Sequence, residues 1–185
     1  HVLLQKQTRM QEAGPDIWLV FAPIKGKTDI VIEKAVELGV SRIIPAVTNR
    51  TIVRSLNMKK MHSHAIEAAE QCERLDVPAL EEPQNLTNIL GGWKAGRTIL
   101  YADESGSGEP MSTVVASMRG VAIALLIGPE GGFTPEEQKI LRQQEFVKPF
   151  GMGARILRAD TAAVAALACI QAWCGDWDKK PAFGA

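Results

Sequence analysis

Neither sign of charge dominates this sequence: 21 Lys and Arg are balanced by 21 Asp and Glu. That balance excludes a uniformly basic coat for nucleic acid. Cysteine is scarce, and Cys72, Cys169 and Cys174 are an odd number without C-x-x-C spacing. A disulfide framework and a structural zinc site are therefore not expected, and no metal is. Cys169 and Cys174 lie in or beside an apolar helical run, which reads as reduced, buried thiols. No stretch reaches the roughly 18 to 20 apolar residues that cross a bilayer, and no charged segment leads into an apolar run with a cleavage site. The expectation is a cytoplasmic protein without membrane partners. What is present is ordinary globular usage, 46% hydrophobic and 23% charged over 185 residues. One domain of this size buries about 70% of the surface its unfolded chain exposes.

The apolar pattern alternates strands with helices. Ile17-Trp18-Leu19-Val20-Phe21-Ala22 reads as a strand stopped by Pro23, and Thr28 as the N-cap of a helix whose stripe is Ile32, Ala35 and Val36 and whose stop is Gly39. Residues 42–47 form a second strand, in which Pro45 indicates an edge or an end. A helix over 57–72, a strand over 77–80, a short helix over 86–90 and a strand over 98–102 follow, and then a polar loop over 103–110. Residues 121–127 are apolar on both faces, as a central parallel strand is. Thr134-Pro135-Glu136-Glu137 marks a helix start with a capping hydroxyl, a first-turn Pro and two acids. A strand over 146–150 and a helix in which 162–170 is continuously apolar complete an α/β fold with a mainly parallel sheet covered by helices.

Ligands of such sheets sit beyond the carboxyl ends of strands, and the break after Ile127 is the most glycine-dense of these. Gly128, Gly131 and Gly132 allow a ligand close to the backbone, or form only a tight turn, since the spacing matches neither a dinucleotide nor a phosphate-loop motif. A second glycine turn, Phe150-Gly151-Met152-Gly153, precedes Arg155, Arg158, Asp160 and Thr161. Asp160 or Thr161 can be an N-cap, but the two arginines require solvent, a carboxylate or an anionic ligand. Between Leu38 and Ile66 stand Arg42, Arg50, Arg54, Lys59 and Lys60 with no acid, which suits a phosphate backbone or a solvated face. His62 and His64 read as surface residues. Glu67, Glu70, Gln71 and Arg74 form either the wet side of a helix or a wall of the site.

Four segments in order carry a resemblance: Lys25-Gly26 with Ile32-Glu33-Lys34-Ala35-Val36-Glu37-Leu38-Gly39-Val40, then Glu67-Ala68-Ala69-Glu70-Gln71-Cys72-Glu73-Arg74, then Ile127-Gly128-Pro129-Glu130-Gly131-Gly132-Phe133, and finally Gly153-Ala154-Arg155-Ile156-Leu157-Arg158. Together they resemble the RsmE-type 16S rRNA uracil-N3 methyltransferases of the SPOUT superfamily, over about residues 17–174. The resemblance implies a trefoil-knotted α/β domain, S-adenosyl-L-methionine as cofactor, 16S rRNA of the small ribosomal subunit as substrate, and a homodimer. The C-terminal helix, apolar all round, is the expected dimer surface. The family also carries an N-terminal PUA-like RNA-binding domain. The chain, opening on His1 with a polar stretch over 3–12, is then read as a fragment, with 1–16 a leader, 17–178 the methyltransferase domain and 179–185 a tail.

For the site, the resemblance implies cofactor contacts at Tyr101, Ile127, Gly128, Gly131 and Gly132, and at Phe150, Gly151, Met152, Ile156, Leu157 and Thr161. Arg158 is expected to stabilise the developing uracil anion, and Glu130 or Asp160 to accept the ring proton. Lys25, Arg50, Arg54 and Arg74 are expected to grip RNA. The chain has Ala159-Asp160 where the family commonly has Thr-Glu. Two rivals stand beside this reading: a related knotted enzyme acting on tRNA or a ribose hydroxyl, and a catalytically silent RNA-binding or ribosome-assembly module.

Overall fold

A computed structural model describes residues 14–93 and 96–179. The stretch expected at 3–12, most of the 1–16 leader and all but the first residue of the 179–185 tail lie outside the described residues. Strands are β1 (Ile17–Phe21), β2 (Arg42–Val47), β3 (Ala79–Leu80), β4 (Gln84–Asn85), β5 (Arg97–Ala102), β6 (Glu109–Pro110), β7 (Ala122–Ile127) and β8 (Val147–Gly151). Helices are α1 (Thr28–Glu37), α2 (Met58–Gln71), α3 (Leu86–Gly91), α4 (Met111–Val115), α5 (Pro135–Arg142) and α6 (Ala159–Cys174). All strand pairs are parallel, in the order β3-β2-β1-β7-β5-β8-β6, with β4 also on β2. The sheet is the expected α/β architecture, with β7 at its centre.

Strand alternation divides the core into two layers. Leu19 and Phe21 of β1 and Ile123, Leu125 and Ile127 of β7 pack with α1, α2, α4 and α6, while Val20, Ala124 and Leu126 face the layer of α3 and α5. Gly39, at φ +76°, ends the first helical segment, and a Cβ there would stand 2.5 Å from Gln171 Nε2. That approach is used: buried Gln171 donates to the Leu38 carbonyl at 2.6 Å, tying α6 to the end of α1.

Several expectations are corrected. Thr28 is not an N-cap: its hydroxyl donates to the Ile24 carbonyl and accepts from the Ile24 amide, both at 2.9 Å, which closes the loop before α1. Neither Asp160 nor Thr161 caps α6, which starts at Ala159 behind Arg158. Pro45 lies one strand in from the sheet edge, in register with Phe21. Its missing N–H is accommodated because β3 pairs only with Arg42 and Ile43, and β4 only with Ala46 and Val47. The loop expected over 103–110 ends in β6 and leads into α4, and β4 is likewise additional. The start of α5 is as expected: Thr134 Oγ1 accepts from Glu137 N at 3.3 Å, and the Glu137 carboxylate accepts from Thr134 N at 2.9 Å. No described helix is long and apolar enough to cross a membrane.

Candidate active site

The carboxyl ends of β5, β7 and β8 emerge side by side, and three loops meet there. Ile127, Tyr101 and Phe150 are at most 3% exposed, so their side chains form the floor and only their backbones can face a ligand. The Tyr101 ring meets Phe133 edge-on at 5.3 Å. Over this floor runs 128–133, turned by a Gly132 amide bond to the Pro129 carbonyl at 2.8 Å with Gly132 at φ +67°. A Cβ on Gly128 would stand 2.6 Å from the Phe133 ring, so that glycine admits the aromatic plug. The loop after β5 crosses β8: a Cβ on Gly108 would stand 2.7 Å from the Phe150 carbonyl carbon, and one on Gly151 3.4 Å from the Gly108 carbonyl oxygen. The third loop leads from Gly151 to Arg158, with Met152 and Leu157 half-buried and Ile156 85% exposed.

Asp103, at the end of β5, organises the first loop. Its side chain is fully buried and accepts from the Ser105 amide at 2.9 Å, the Ser107 hydroxyl at 2.9 Å and Arg142 Nη2 at 3.2 Å. Burial opposes its charge, but the bonds from Ser105, Ser107 and Arg142 outweigh that and hold the carboxyl below its ordinary range. The Tyr101 hydroxyl donates to Asp103 Oδ1 at 3.4 Å, and burial foremost, then the Asp103 charge, raises that phenol above its ordinary range. The sequence reading missed Asp103 and Arg142. An acid immediately beyond an apolar strand was the available signal for Asp103, whereas nothing local marks Arg142.

The proposed reacting groups fall in two classes. Arg158, Arg155 and Glu130 are exposed, with no hydrogen bond or ion pair among the described residues. Asp160 is committed: its Oδ2 accepts from Lys27 Nζ at 2.6 Å, and that bond holds its carboxyl below the usual range. As a proton acceptor it is accordingly weakened, and Glu130 is the carboxylate of the pair left without a partner. Lys27 was not singled out in the sequence, because its partner lies 133 residues away. Thr161 is exposed in the first turn of α6.

The expected RNA-binding residues are also divided. Lys25 is exposed in the turn before α1. Arg50 is exposed, yet its Nη1 donates to the Gly131 carbonyl at 2.7 Å and the Phe133 carbonyl at 3.4 Å, so it also braces the glycine loop. The segment carrying it is fixed by Thr48 and Thr51, whose hydroxyls lie 2.8 Å apart, and by the Asn49 amide donating to Glu137 at 2.8 Å. Arg54 is exposed and donates to the Asn49 carbonyl at 3.3 Å. Arg74 is not placed to grip RNA. Its side chain is 15% exposed and donates to the Val36 and Val40 carbonyls at 2.7 and 3.0 Å while pairing with Asp76. It ties the segment after α2 to the end of α1 and to the turn that follows it. Glu67, Glu70 and Gln71 lie on the wet side of α2, and His62 is exposed. His64 departs from the surface reading, being half-buried with Nε2 unpartnered among the described residues.

Known proteins are similar to this chain in sequence and in fold. Residues 11–171 match the model of the RNA methyltransferase domain. Ribosomal RNA small subunit methyltransferase E of Rickettsia conorii is 34% identical over 172 residues, covering 92% of this chain and 70% of the relative. The Bacillus subtilis protein of that name is 32% identical, with coverage of 80% and 62%. Among solved structures, the Neisseria gonorrhoeae protein of that name, bound to S-adenosyl methionine, superposes with a TM-score of 0.77 at 28% identity, covering 88% of this chain and 68% of that one. With the family domain spanning most of its length and a relative matched over nearly all of it, this chain belongs to the ribosomal RNA small subunit methyltransferase E family.

Proposed function

We propose that residues 17–178 form a methyltransferase domain that uses S-adenosyl-L-methionine to methylate N3 of a uridine in 16S rRNA of the small ribosomal subunit, in the cytoplasm. The observation that carries the proposal is the meeting of three loops beside unpartnered Arg158 and Glu130. The residues fit the cofactor: Gly128, Gly131, Gly132 and Gly151 let Phe133, Arg50, Glu104 and the Gly108 carbonyl close against the loop backbone, so that the three loops converge over an apolar floor of the kind a nucleoside needs. Met152, Leu157 and Ile156 supply an apolar flank to the same cleft. When bound, the cofactor supplies a methyl group activated by its sulfonium.

The chain's part is alignment and charge. Lys25, Arg50 and Arg54 hold the RNA backbone. Glu130 takes the N3 proton, and Arg158 stabilises the negative charge spreading over the uracil as that proton leaves. Its guanidinium is free to do so, since no carboxylate among the described residues neutralises it. Asp160, through Lys27, fixes the start of α6 and the loop ahead of it. The outward side of α6, with Val164, Ala165, Ala168 and Cys169 only half-buried and Trp173 46% exposed, supports a homodimer through this helix. Sedimentation at tens of micromolar should show a dimer that Ala165→Glu dissociates.

Under-methylated small subunits incubated with the protein and cofactor should yield N3-methyluridine in nucleoside mass spectrometry. Methylation of a ribose hydroxyl, or of tRNA in its place, would move the chain to another knotted enzyme. A folded protein that binds RNA but no cofactor would make it a silent module.

A further inference from the structure

Glu104 was absent from every sequence expectation, yet it lies over the glycine loop. A Cβ on Gly132 would collide with Glu104 Oε1 and stand 2.9 Å from its Cδ, so the space above this glycine is filled by that carboxylate. Glu104 is exposed and makes no hydrogen bond or ion pair among the described residues. The backbone that carries it is held in place, because Asp103 beside it is buried and bonded to Ser105, Ser107 and Arg142. Asp103 has spent its acceptor capacity within the protein, whereas Glu104 has not.

We infer that Glu104 reads the ribose of the nucleoside cofactor, its two carboxylate oxygens accepting from the two vicinal hydroxyls. An ionised carboxylate only accepts, so its partner must be a donor or a cation, and a vicinal diol presents two donors at the spacing of two carboxylate oxygens. The nucleoside half of the ligand is the part that requires Cβ-free backbone, and that backbone is what Glu104 overlies. The inference rests on the cofactor reading above and adds to it a specificity determinant for ribose.

Calorimetry with three probes tests it: S-adenosylhomocysteine, 5′-methylthioadenosine, which keeps the ribose and lacks the amino acid, and 2′-deoxy-5′-methylthioadenosine. Glu104→Gln should weaken the first two by a similar factor, about 10- to 100-fold, the scale of hydrogen bonds to a charged acceptor. The deoxy probe should bind the unsubstituted protein weakly and respond far less to the substitution. Thermal melting of the ligand-free variant should be unchanged, since an exposed, unpartnered side chain is altered. Unchanged affinity for all probes would overturn the inference, as would tighter binding by the variant. A loss confined to S-adenosylhomocysteine would also overturn it, by placing Glu104 on the ammonium. If the unsubstituted protein binds none of the three, the cofactor reading itself fails and the role of Glu104 falls with it.

Discussion

The two ends of the sheet spend their polar groups differently. At the amino ends of β1, β2, β5 and β7, Trp18, Arg42, Arg97 and Ala122 border a cleft of about 510 Å³. Arg97 and Arg42 lie 3.7 and 4.6 Å from the Trp18 ring centre, and each is also paired, with Asp16 and Glu81 respectively. Trp93 Nε1 donates to the Arg97 carbonyl at 2.9 Å, and Gln84 donates to Glu81 at 2.8 Å. At the carboxyl ends, Lys25, Glu104, Glu130, Arg155 and Arg158 have no such partners among the described residues. A cavity of that size would by itself direct attention to the amino end. Unspent hydrogen-bonding capacity directs it to the other, since a charge left open in a fold is available to a ligand and one already paired is not.

The sharpest way to break this contrast is to remove the unpartnered cation. Arg158→Ala should lower single-turnover methylation by about 10² to 10³, the scale of losing one oxyanion donor. Cofactor affinity should be largely kept, and stability should change by no more than about 0.5 kcal/mol, because the side chain is exposed. Near-normal turnover on saturating RNA would move the anion-stabilising role to another residue. Next in size is Gly108→Ala. The new Cβ would lie 2.7 to 2.9 Å from three backbone atoms of Phe150, and backbone cannot rotate away as a side chain can. Overpacking of this kind costs about 1–3 kcal/mol. Because the strained loop belongs to the proposed cleft, chemical denaturation should report that loss together with weaker cofactor binding in calorimetry.

What the sequence disclosed about these two ends follows from the range of the interactions. The apolar run of β7 and the Thr134-Pro135 helix start depend on neighbours in the chain, and both were legible. So was the Gly128–Gly132 turn, because glycines at a strand end are a local signal. Arg74 was assigned to RNA on the resemblance of its segment to the family, and only the fold brings it to the Val36 and Val40 carbonyls, 38 and 34 residues away. Asp103 and Arg142 are 39 residues apart, and Lys27 and Asp160 133 apart. No periodicity links such pairs. β4 and β6, two residues each, are too short to carry an alternating pattern and exist only because the neighbouring strands offer them a partner.

Acid sharpens the comparison from within the carboxyl end. Asp103 has a folded-state pKa below its ordinary value, so it favours the folded protein above that value, near 4, and the contribution is lost as pH falls toward the depressed folded value. Asp160, held down chiefly by Lys27, acts in the same direction. Melting measured from pH 7 to pH 3 should therefore fall more steeply for the unsubstituted protein than for Asp103→Asn. The gap between the two, about 1–2 kcal/mol near neutrality, should close toward pH 3. Parallel curves would show that Asp103 does not hold its charge against burial.

The smallest effect is expected at the amino end. Arg42→Ala removes an ion pair whose partners are 38% and 29% exposed at the side chain, and solvent screens such pairs to about 0–1 kcal/mol. It also removes one of two cations on Trp18, but Arg97, at 3.7 Å, remains against the ring. The substitution should shift the melting midpoint by no more than about 4 °C for a chain of this length. Cofactor affinity and methylation rate should stay within about twofold, because the cleft bordered by Arg42 lies at the opposite end of the strands from the three glycine loops. A tenfold loss of either, with melting unchanged, would show that the amino-end cleft is a working site and that paired charges there are released to a ligand.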